Sequence, residues 1–519
     1  MSEQPPPKKL KQGISSSYIN YTISKGDKLA VLTELPSSGE FFQNFIAPRK
    51  PVKFKLTESI IPLDKFRLGN LESTLHYHHD LQIEKKYQSG FGSGQKRVKF
   101  GLGKLIEEVK SGNDEFYLTT QYDFDDPDAK SDEEEDNDED EEEFGEEEEG
   151  DDDDDEEEQG ENINFKFSDN FSETSSIDMN NLRDDFEEDF EEDSNTTDSI
   201  LDEELSLTKS EALVRLKDMY QAPLTNLINA PDILPTIPPC FEKLIPQQIN
   251  LWMGSSNISS KEFKLDESDK SGLGLGKQLP GDLTGSSSGL HHDHADNLYI
   301  VVQGKKRFTL YSPADAFKLY TVGTIYRLYD SGIIDYEVDK NAPHWRHIRD
   351  DGAIVEEIIR WKLDGLDDKD SKEKSKLLKQ LQWEVKQRNE MKGVKTDLDP
   401  PNFSKIPPAL LHLDEIDNKD IRNKLETFAN EYFPGFLELN SFKVWLEPGD
   451  MLYLPAGWFH EVSSFGDDDN HGHIALNYWF IPPNTDNVET CYSDMYWHED
   501  WAKTRRSLEL AQNGKIELD

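Results

Sequence analysis

Short apolar stretches dominate the parts of the sequence that can build a core. Five of them predict strands, because their side chains alternate between apolar and polar or form brief apolar runs between turn residues: 51–56, 116–118, 298–311, 443–461 and 474–480. Residues 40–46 have the aromatic spacing of a short amphipathic helix, and residues 353–393 and 488–511 have mainly helical spacing. The highly charged stretch 364–375 predicts a break between two helices. The pattern therefore predicts a mainly β fold with surrounding helices.

One segment carries most of the net negative charge. Residues 121–205 contain 43 Asp or Glu and 3 Lys or Arg, a net charge of −40 out of −49 for the whole chain. Such a segment buries too little apolar surface to offset its ordering entropy, so we expect it to be disordered. Its aromatic residues could anchor a basic partner, or the segment could only solvate the protein, and the sequence leaves both interpretations open. These residues are Phe165, Phe167, Phe186 and Phe190.

The rest of the chain has the composition of an ordinary globular protein, and we expect one domain that the acidic segment interrupts. The predicted segments are a disordered basic tail at 1–22, the N-terminal part of the domain at 23–120, the disordered acidic insertion at 121–205, the core at 206–487 and a helical segment at 488–519. Within the core we expect insertions near 255–287 and 353–400. The Gly, Ser and Lys content of the first insertion predicts a flexible loop.

The sequence also bears on the cellular compartment. Two cysteines, Cys240 and Cys491, are too few for a disulfide framework and lack zinc-site spacing, which indicates a reducing compartment. No apolar run approaches the length of a membrane helix. The N-terminal sequence lacks the apolar core of a signal peptide. It resembles a short basic nuclear localisation signal, and the more common interpretation of such a stretch is a solvated, disordered tail. We therefore expect a cytoplasmic or nuclear protein.

The most informative stretch reads His291-His292-Asp293-His294-Ala295-Asp296. Residues two apart in a strand point to the same face, so His291 and Asp293 can converge on one ion. A further imidazole from a distant strand would complete a set of two histidines and one carboxylate, which suits iron(II) and leaves coordination positions open. His294 and Asp296 have the same spacing, so spacing alone does not choose between the two pairs.

The residues that follow this stretch resemble a known family. Residues 298–302 and 307–311 predict two strands around a turn, and Lys306 lies at the start of the second strand. His-x-Asp, then Asn297, then Gly304-x-Lys306 resembles the metal-binding core of the JmjC oxygenases. On this resemblance His291 and Asp293 are metal ligands, and Lys306 pairs with the distal carboxylate of 2-oxoglutarate. An ammonium group is a suitable partner for that carboxylate.

A second stretch, residues 446–460, resembles the family segment that delivers the distal histidine. Pro448-Gly449-Asp450 predicts a turn, Met451–Leu454 a buried strand, and His460 lies at the start of the next strand. The resemblance makes His460 the third metal ligand. The alternative for such a residue is a core histidine whose hydrogen bonds are satisfied within the protein.

The resemblance implies roles for four further residues in binding 2-oxoglutarate. Asn297 contacts the co-substrate, and Ser288 matches a position whose hydroxyl contacts its distal carboxylate. Tyr117, in the sequence Tyr-Leu-Thr-Thr-Gln, resembles a tyrosine that touches 2-oxoglutarate in small JmjC hydroxylases. Asn477 matches a polar position that faces the pocket.

The implied fold is a double-stranded β-helix, the cupin-like jelly roll of the JmjC proteins, and the implied cofactors are iron(II), 2-oxoglutarate and dioxygen. Several pieces are most similar to the small JmjC lysyl hydroxylases that act on developmentally regulated GTP-binding proteins. These pieces are Asn250–Gly254, Asn297–Gly304, Leu319–Thr321 and Met451–His460. The resemblance implies hydroxylation of a protein side chain, with lysine as the expected target.

Three alternatives remain at this point. Histone lysine demethylation uses the same chemistry, and the basic tail and acidic segment suit a chromatin role. Hydroxylation of a modified tRNA base is less expected, because the chain outside the acidic segment has no basic excess. A non-catalytic cupin scaffold with an acidic histone-binding arm is the third, although it would have no use for intact ligand residues.

Overall fold

A computed structural model describes residues 18–86, 90–92, 97–121, 199–256, 263–269, 272–280, 285–366, 371–394, 398–467 and 471–518. All of these residues belong to one compact unit, in which strands from before and after the acidic segment pair with each other. Most of the acidic segment, at 122–198, and most of the basic tail, at 1–17, lie outside the described residues. The predictions of disorder there stay predictions.

The strands in chain order are β1 Ala30–Leu32, β2 Val52–Phe54, β3 Asp80–Lys85, β4 Arg97–Gly101, β5 Phe116–Leu118, β6 Ile200–Asp202, β7 Leu207–Thr208, β8 Pro246–Ser255, β9 Ser286–Ser287, β10 His291–His292, β11 Asp296–Gln303, β12 Lys305–Tyr311, β13 Ile325–Leu328, β14 Ile334–Tyr336, β15 Phe442–Leu446, β16 Met451–Leu454, β17 Phe459–Phe465 and β18 Gly472–Phe480.

The α-helices are α1 Ser38–Phe41, α2 Leu63–Phe66, α3 Leu71–Leu75, α4 Leu102–Lys110, α5 Lys209–Met219, α6 Val355–Asp364, α7 Ser371–Glu390, α8 Lys419–Tyr432 and α9 Tyr496–Gln512. A π-helical turn at Phe42–Ile46 continues α1. Short 3-10 segments lie at Thr225–Asn229, Pro313–Lys318, Pro408–Glu415 and Phe436–Glu438. Among the described residues, no helix has both the length and the apolar character that a bilayer span requires.

Two sheets form the centre of the protein. The larger has the order β1-β2-β16-β11-β18-β8-β5-β3-β4, and the smaller has the order β10-β17-β12-β15 with β9 beside β17. The central pairs of both sheets are antiparallel. The strands β16-β11-β18-β8 and β10-β17-β12-β15 are the two halves of a jelly roll, which confirms the predicted double-stranded β-helix.

The space between the two sheets is the interior of the jelly roll. Tyr299 and Val301 of β11 pack there against Phe308 of the smaller sheet, and the Tyr299 and Phe308 ring centroids are 5.0 Å apart. The alternate residues Leu298 and Ile300 face the other way, into the core that the helices cover. Because side chains alternate along a strand, odd-numbered residues of β11 up to Val301 face the interior and even-numbered residues face the helix-covered core.

Most of the predicted elements are confirmed. The strands expected around 51–56, 116–118, 298–311, 443–461 and 474–480 are present, and the helical region beyond residue 353 is broken into α6 and α7 as predicted. The turn between β11 and β12 centres on Gly304, whose φ is +71°. A Cβ there would lie 2.5 Å from the Phe465 carbonyl oxygen, so the turn needs glycine.

Several predicted boundaries differ from the structure. Ile200–Asp202 pairs with β7 and Asp202 bonds to Arg506, so the predicted end of the insertion at 205 is too late. The predicted tail at 1–22 is too long, since Tyr21 stacks on Trp458. Residues 286–287, expected in a flexible loop, form β9. The C-terminal helix begins at Tyr496 rather than near residue 488.

Candidate metal centre

The two predicted histidine ligands are cross-strand partners. His291 of β10 lies opposite His460 of β17, and their ring centroids are 4.3 Å apart. Asp293 follows β10 directly, and its Oδ2 atom is 3.6 Å from His460 Nε2. Strand β10 ends at His292, so Asp293 reaches the site from the link after the strand rather than from the strand itself. One ligand atom from each of the three residues lies within 4.8 Å of the others, as a shared metal ion requires.

Hydrogen bonds set the tautomer of both histidines. His291 Nδ1 lies 3.0 Å from the Gly289 carbonyl oxygen, and His460 Nδ1 lies 3.0 Å from the Trp458 carbonyl oxygen. A carbonyl oxygen can only accept, so each Nδ1 carries the proton and each Nε2 keeps its lone pair for a metal. Burial, and then the neighbouring His460, hold the pKa of His291 well below its usual value, which keeps the ring in the neutral form that binds metals.

A chain of side-chain amides supports the third ligand. Asn297 Nδ2 lies 3.4 Å from Asp293 Oδ2, and Asn477 Nδ2 donates to Asn297 Oδ1 at 3.3 Å. Trp252 Nε1 in turn donates to Asn477 Oδ1 at 2.9 Å. The structure thus brings the two predicted asparagines together beside Asp293, where they fix the orientation of its carboxylate.

The rival pair with the same spacing has other partners. His294 Nε2 lies 3.0 Å from the Ile334 carbonyl oxygen. Asp296 is fully buried and pairs with both terminal nitrogens of Arg49, while it also accepts hydrogen bonds from Tyr453 Oη at 2.7 Å and from the Ala456 amide at 2.9 Å. Asp296 therefore braces the segment that carries the candidate metal ligands His291 and Asp293. The sequence did not single out Arg49, which lies far from the motif along the chain.

Lys306, which the resemblance assigned to 2-oxoglutarate, lies fully buried in the jelly-roll interior. Its Nζ atom lies 2.6 Å from Ser464 Oγ and 3.1 Å from His473 Nδ1. The ring centroids of Phe91 and Tyr117 are each 5.8 Å from the same Nζ atom. Of these neighbours only Tyr117 was predicted; Ser464 and His473 were missed, because a single sequence does not tell which residues of paired strands share a face.

The surroundings of Lys306 suit a carboxylate ligand. Burial, and then the charge of Lys86, lower its pKa well below the usual range. Among the described residues, no acidic side chain forms an ion pair with Lys306. A bound carboxylate would stabilise the charged ammonium, so this pocket fits one end of 2-oxoglutarate. The His/Asp/His set, with two free Nε2 atoms and one carboxylate, likewise fits iron(II).

Ser288 is not brought to Lys306. Its hydroxyl donates to the Gly289 carbonyl at 2.8 Å and accepts from the Val462 amide at 3.0 Å. Both bonds hold the backbone next to the metal ligands. The hydroxyl that contacts Lys306 belongs to Ser464 instead, and a co-substrate contact by Ser288 stays a prediction.

Lys277 and Phe403 also lie near the candidate metal centre. Lys277 belongs to the first predicted insertion, and Phe403 follows the second. The Phe403 ring stacks on His291 with centroids 4.9 Å apart, and Lys277 Nζ lies 5.0 Å from the Phe403 centroid. Lys277 also donates to the Phe91 carbonyl at 3.2 Å. The mouth of the site is therefore built partly from sequence outside the motifs.

A family comparison agrees with this geometry. The model of the cupin-like domain matches residues 38–486, which is most of the chain. The chain belongs to the cupin-like domain family. In this cupin-like protein the two candidate histidine ligands lie in the smaller sheet, and Asp293 lies on the link from β10 to β11 of the larger sheet.

Relatives of this cupin-like protein include JmjC proteins. JmjC domain-containing protein 4 of Schizosaccharomyces pombe is 25% identical over 537 aligned positions, which cover 91% of this chain and 89% of the relative. The human bifunctional peptidase and (3S)-lysyl hydroxylase JMJD7 is 24% identical over 198 positions, 37% of either chain. The lysine-specific demethylase JMJ32 of Arabidopsis thaliana is 24% identical over 239 positions, 45% of this chain and 42% of the relative.

Proposed function

We propose that this protein is an iron(II)- and 2-oxoglutarate-dependent oxygenase that hydroxylates a protein side chain, with lysine as the target. One observation carries the proposal. A buried lysine without an acidic partner among the described residues shares the jelly-roll interior with a His/Asp/His cluster whose ligand atoms lie within 4.8 Å of each other.

Each residue of the site has a role in this proposal. Iron(II) with 2-oxoglutarate and dioxygen supplies the oxidative hydroxylation of an unactivated C–H bond. His291, Asp293 and His460 would hold the metal, and Asn297 and Asn477 keep the Asp293 carboxylate oriented. Lys306 would bind the distal carboxylate of the co-substrate, with Tyr117 beside it. The buried walls exclude water, so that the reacting groups meet only the fixed dipoles of the protein.

Lysine is proposed as the target on two grounds. The sequence resembles small JmjC lysyl hydroxylases in several separate pieces, and the human relative is named as a (3S)-lysyl hydroxylase. The substrate would be a protein, and a GTP-binding protein or a histone are the candidates that the resemblance suggests. The acidic segment could recruit a basic partner of this kind.

Demethylation of a lysine is the second candidate, and the name of the Arabidopsis relative favours it. The two reactions begin with the same C–H hydroxylation, but an N-methyl alcohol loses formaldehyde, whereas a side-chain alcohol is stable. A non-catalytic scaffold is less favoured, because the metal ligands and Lys306 are all present and oriented.

The test is to incubate the protein with iron(II), 2-oxoglutarate, air and candidate basic proteins, including methylated histone peptides. Mass spectrometry would read the products, and Asp293→Ala would serve as the inactive control. Gain of one oxygen on a lysine, dependent on 2-oxoglutarate and absent with Asp293→Ala, supports hydroxylation. Loss of a methyl group with release of formaldehyde would show that the reaction is demethylation and not side-chain hydroxylation. If 2-oxoglutarate is not converted to succinate under any condition with metal bound, the oxygenase proposal is wrong.

A further inference from the structure

A second lysine approaches the end of the pocket where Lys306 lies. His473, Gly254, Tyr117 and Glu84 are successive cross-strand partners in the larger sheet, so their side chains lie on the same interior face. Lys86 follows Glu84 by two residues and therefore projects toward the same face. Lys86 lies in no recognisable motif, so the sequence alone does not select it.

A pair of serines connects the two lysines. Lys86 Nζ donates to the Ser255 carbonyl at 2.7 Å and to Ser286 Oγ at 3.3 Å. Ser286 is the cross-strand partner of Ser464, whose hydroxyl lies 2.6 Å from Lys306 Nζ. The two lysine amines thus reach opposite members of one serine pair, at the same end of the interior.

The electrostatic coupling of these groups agrees with the contacts. Burial is the main cause that lowers the pKa of Lys306, and the charge of Lys86 is the second. Burial, then Lys306, then Lys86 lower the pKa of His473. Glu84 is a buried carboxylate on the same interior face and accepts hydrogen bonds from the Gly92 amide. An anionic ligand between the two lysines would be attracted by both ammonium groups.

We propose that Lys86 is a second cationic residue of the co-substrate pocket, acting together with Lys306 on the distal carboxylate of a dicarboxylate such as 2-oxoglutarate. This inference rests on the proposed function. It assigns Lys86 a positioning role: the residue contributes charge at the distal end of the pocket and takes no part in metal binding. The ligand class follows from the two amines and two hydroxyls gathered there, which suit a carboxylate.

The test compares two ligands that differ only in the distal carboxylate. The iron(II)-loaded protein would be titrated without oxygen with 2-oxoglutarate and with 2-oxobutanoate, and binding would be followed by visible absorbance and by calorimetry. We expect Lys86→Met to weaken 2-oxoglutarate binding about tenfold and to leave 2-oxobutanoate binding unchanged. Lys86→Arg should restore most of the affinity, because it retains the charge. Lys85→Met is the matched control, since Lys85 is exposed and pairs with Glu115 at the surface.

The outcomes separate this inference from the proposed function. If Lys86→Met weakens both ligands equally, Lys86 supports the fold and the inference is wrong. If Lys86→Met binds 2-oxoglutarate like the wild type, Lys86 does not act on the distal carboxylate. If the wild type binds neither ligand with metal present, the proposed function fails, whatever the variants do.

Discussion

His291 lies directly opposite His460 in the antiparallel pair β10–β17, and the two rings face each other with centroids 4.3 Å apart. Each ring donates its Nδ1 proton to a backbone carbonyl two residues earlier in its own strand region. The sheet register therefore presents both free Nε2 atoms, together with the Asp293 carboxylate, to a single point.

Replacing Asp293 should remove the metal, whereas replacing the histidine of the rival pair should not. Asp293→Ala deletes a ligand, so we expect metal affinity to fall by more than about 100-fold, beyond the loss typical of supporting residues. His294→Ala is the control, because His294 contacts the Ile334 carbonyl and not the ligand cluster. Calorimetric titration of the metal-free proteins with iron(II) would measure both. Equal loss of affinity in the two variants would contradict the assignment.

The amide chain should tune metal affinity without supplying a ligand. Asn297→Ala frees the Asp293 carboxylate from its neighbour, and we expect a loss of about 10–100-fold in metal affinity. Asn430→Ala, on the exposed side of α8, should bind metal like the wild type. The same titration decides the point. Unchanged affinity in Asn297→Ala would mean that the carboxylate is oriented by other groups.

The buried pair of Arg49 and Asp296 should be a major determinant of stability. Asp296→Ala leaves the Arg49 guanidinium buried without its partner, which we expect to cost ~3–5 kcal/mol. Removing Asp64 from its exposed pair with Arg67 should change the free energy of unfolding very little. Urea unfolding of the metal-free proteins would compare the two. A small effect of Asp296→Ala would show that water or other groups replace the ion pair.

Docking of α7 should weaken as the pH rises through neutrality. Burial raises the pKa of Glu384 to about 7, so the docked helix binds a proton more tightly than the detached one. Burial opposes protonation of the neighbouring His347, but the hydrogen bond and charge of Asp335 outweigh it and raise that pKa as well. Glu384 therefore favours docking at low pH, and this contribution is lost as the pH rises through about 7. The Asp335 partner of His347 lies outside α7, so its effect on His347 remains when the helix detaches.

Hydrogen exchange of α7, corrected for the intrinsic pH dependence of exchange, would measure this effect. Protection should decrease between weakly acidic and weakly alkaline pH in the wild type. Glu384→Gln, which stays neutral, should flatten most of this dependence. Protection that rises with pH, or that falls equally in Glu384→Gln, would contradict the assignment.

The sequence predicted the site residues whose positions depend on neighbours close to them in the chain. His291 and Asp293 are close in the chain, and the glycine turn after β11 fixes the position of Lys306 near the start of β12. His460 could be selected only because its own segment resembles a family segment. The structure adds the contacts that depend on strand register. Ser464 reaches Lys306 because β17 pairs with β12, and His473 reaches it from β18 of the larger sheet.

Contacts between distant segments could not be predicted in the same way. Arg49 pairs with Asp296 across a separation of 247 residues, and Phe403 comes from beyond a predicted insertion to stack on His291. At Ser288 the resemblance to the family predicted a contact with 2-oxoglutarate, whereas in the structure its hydroxyl bonds to backbone groups. Neither alternation nor spacing carries information about such partners.

Binding of 2-oxoglutarate at the metal would be measured by anaerobic addition of iron(II) and then 2-oxoglutarate to the purified wild type, Asp293→Ala, Lys306→Ala and Lys305→Ala. Lys305 is the exposed neighbour of Lys306 and serves as the control. The weak visible charge-transfer band of the iron chelate should appear in the wild type and in Lys305→Ala. It should be absent from Asp293→Ala and should require far more 2-oxoglutarate in Lys306→Ala. If the wild type binds iron(II) but shows no band at any 2-oxoglutarate concentration, this pocket does not bind 2-oxoglutarate at the metal and the proposed function is wrong.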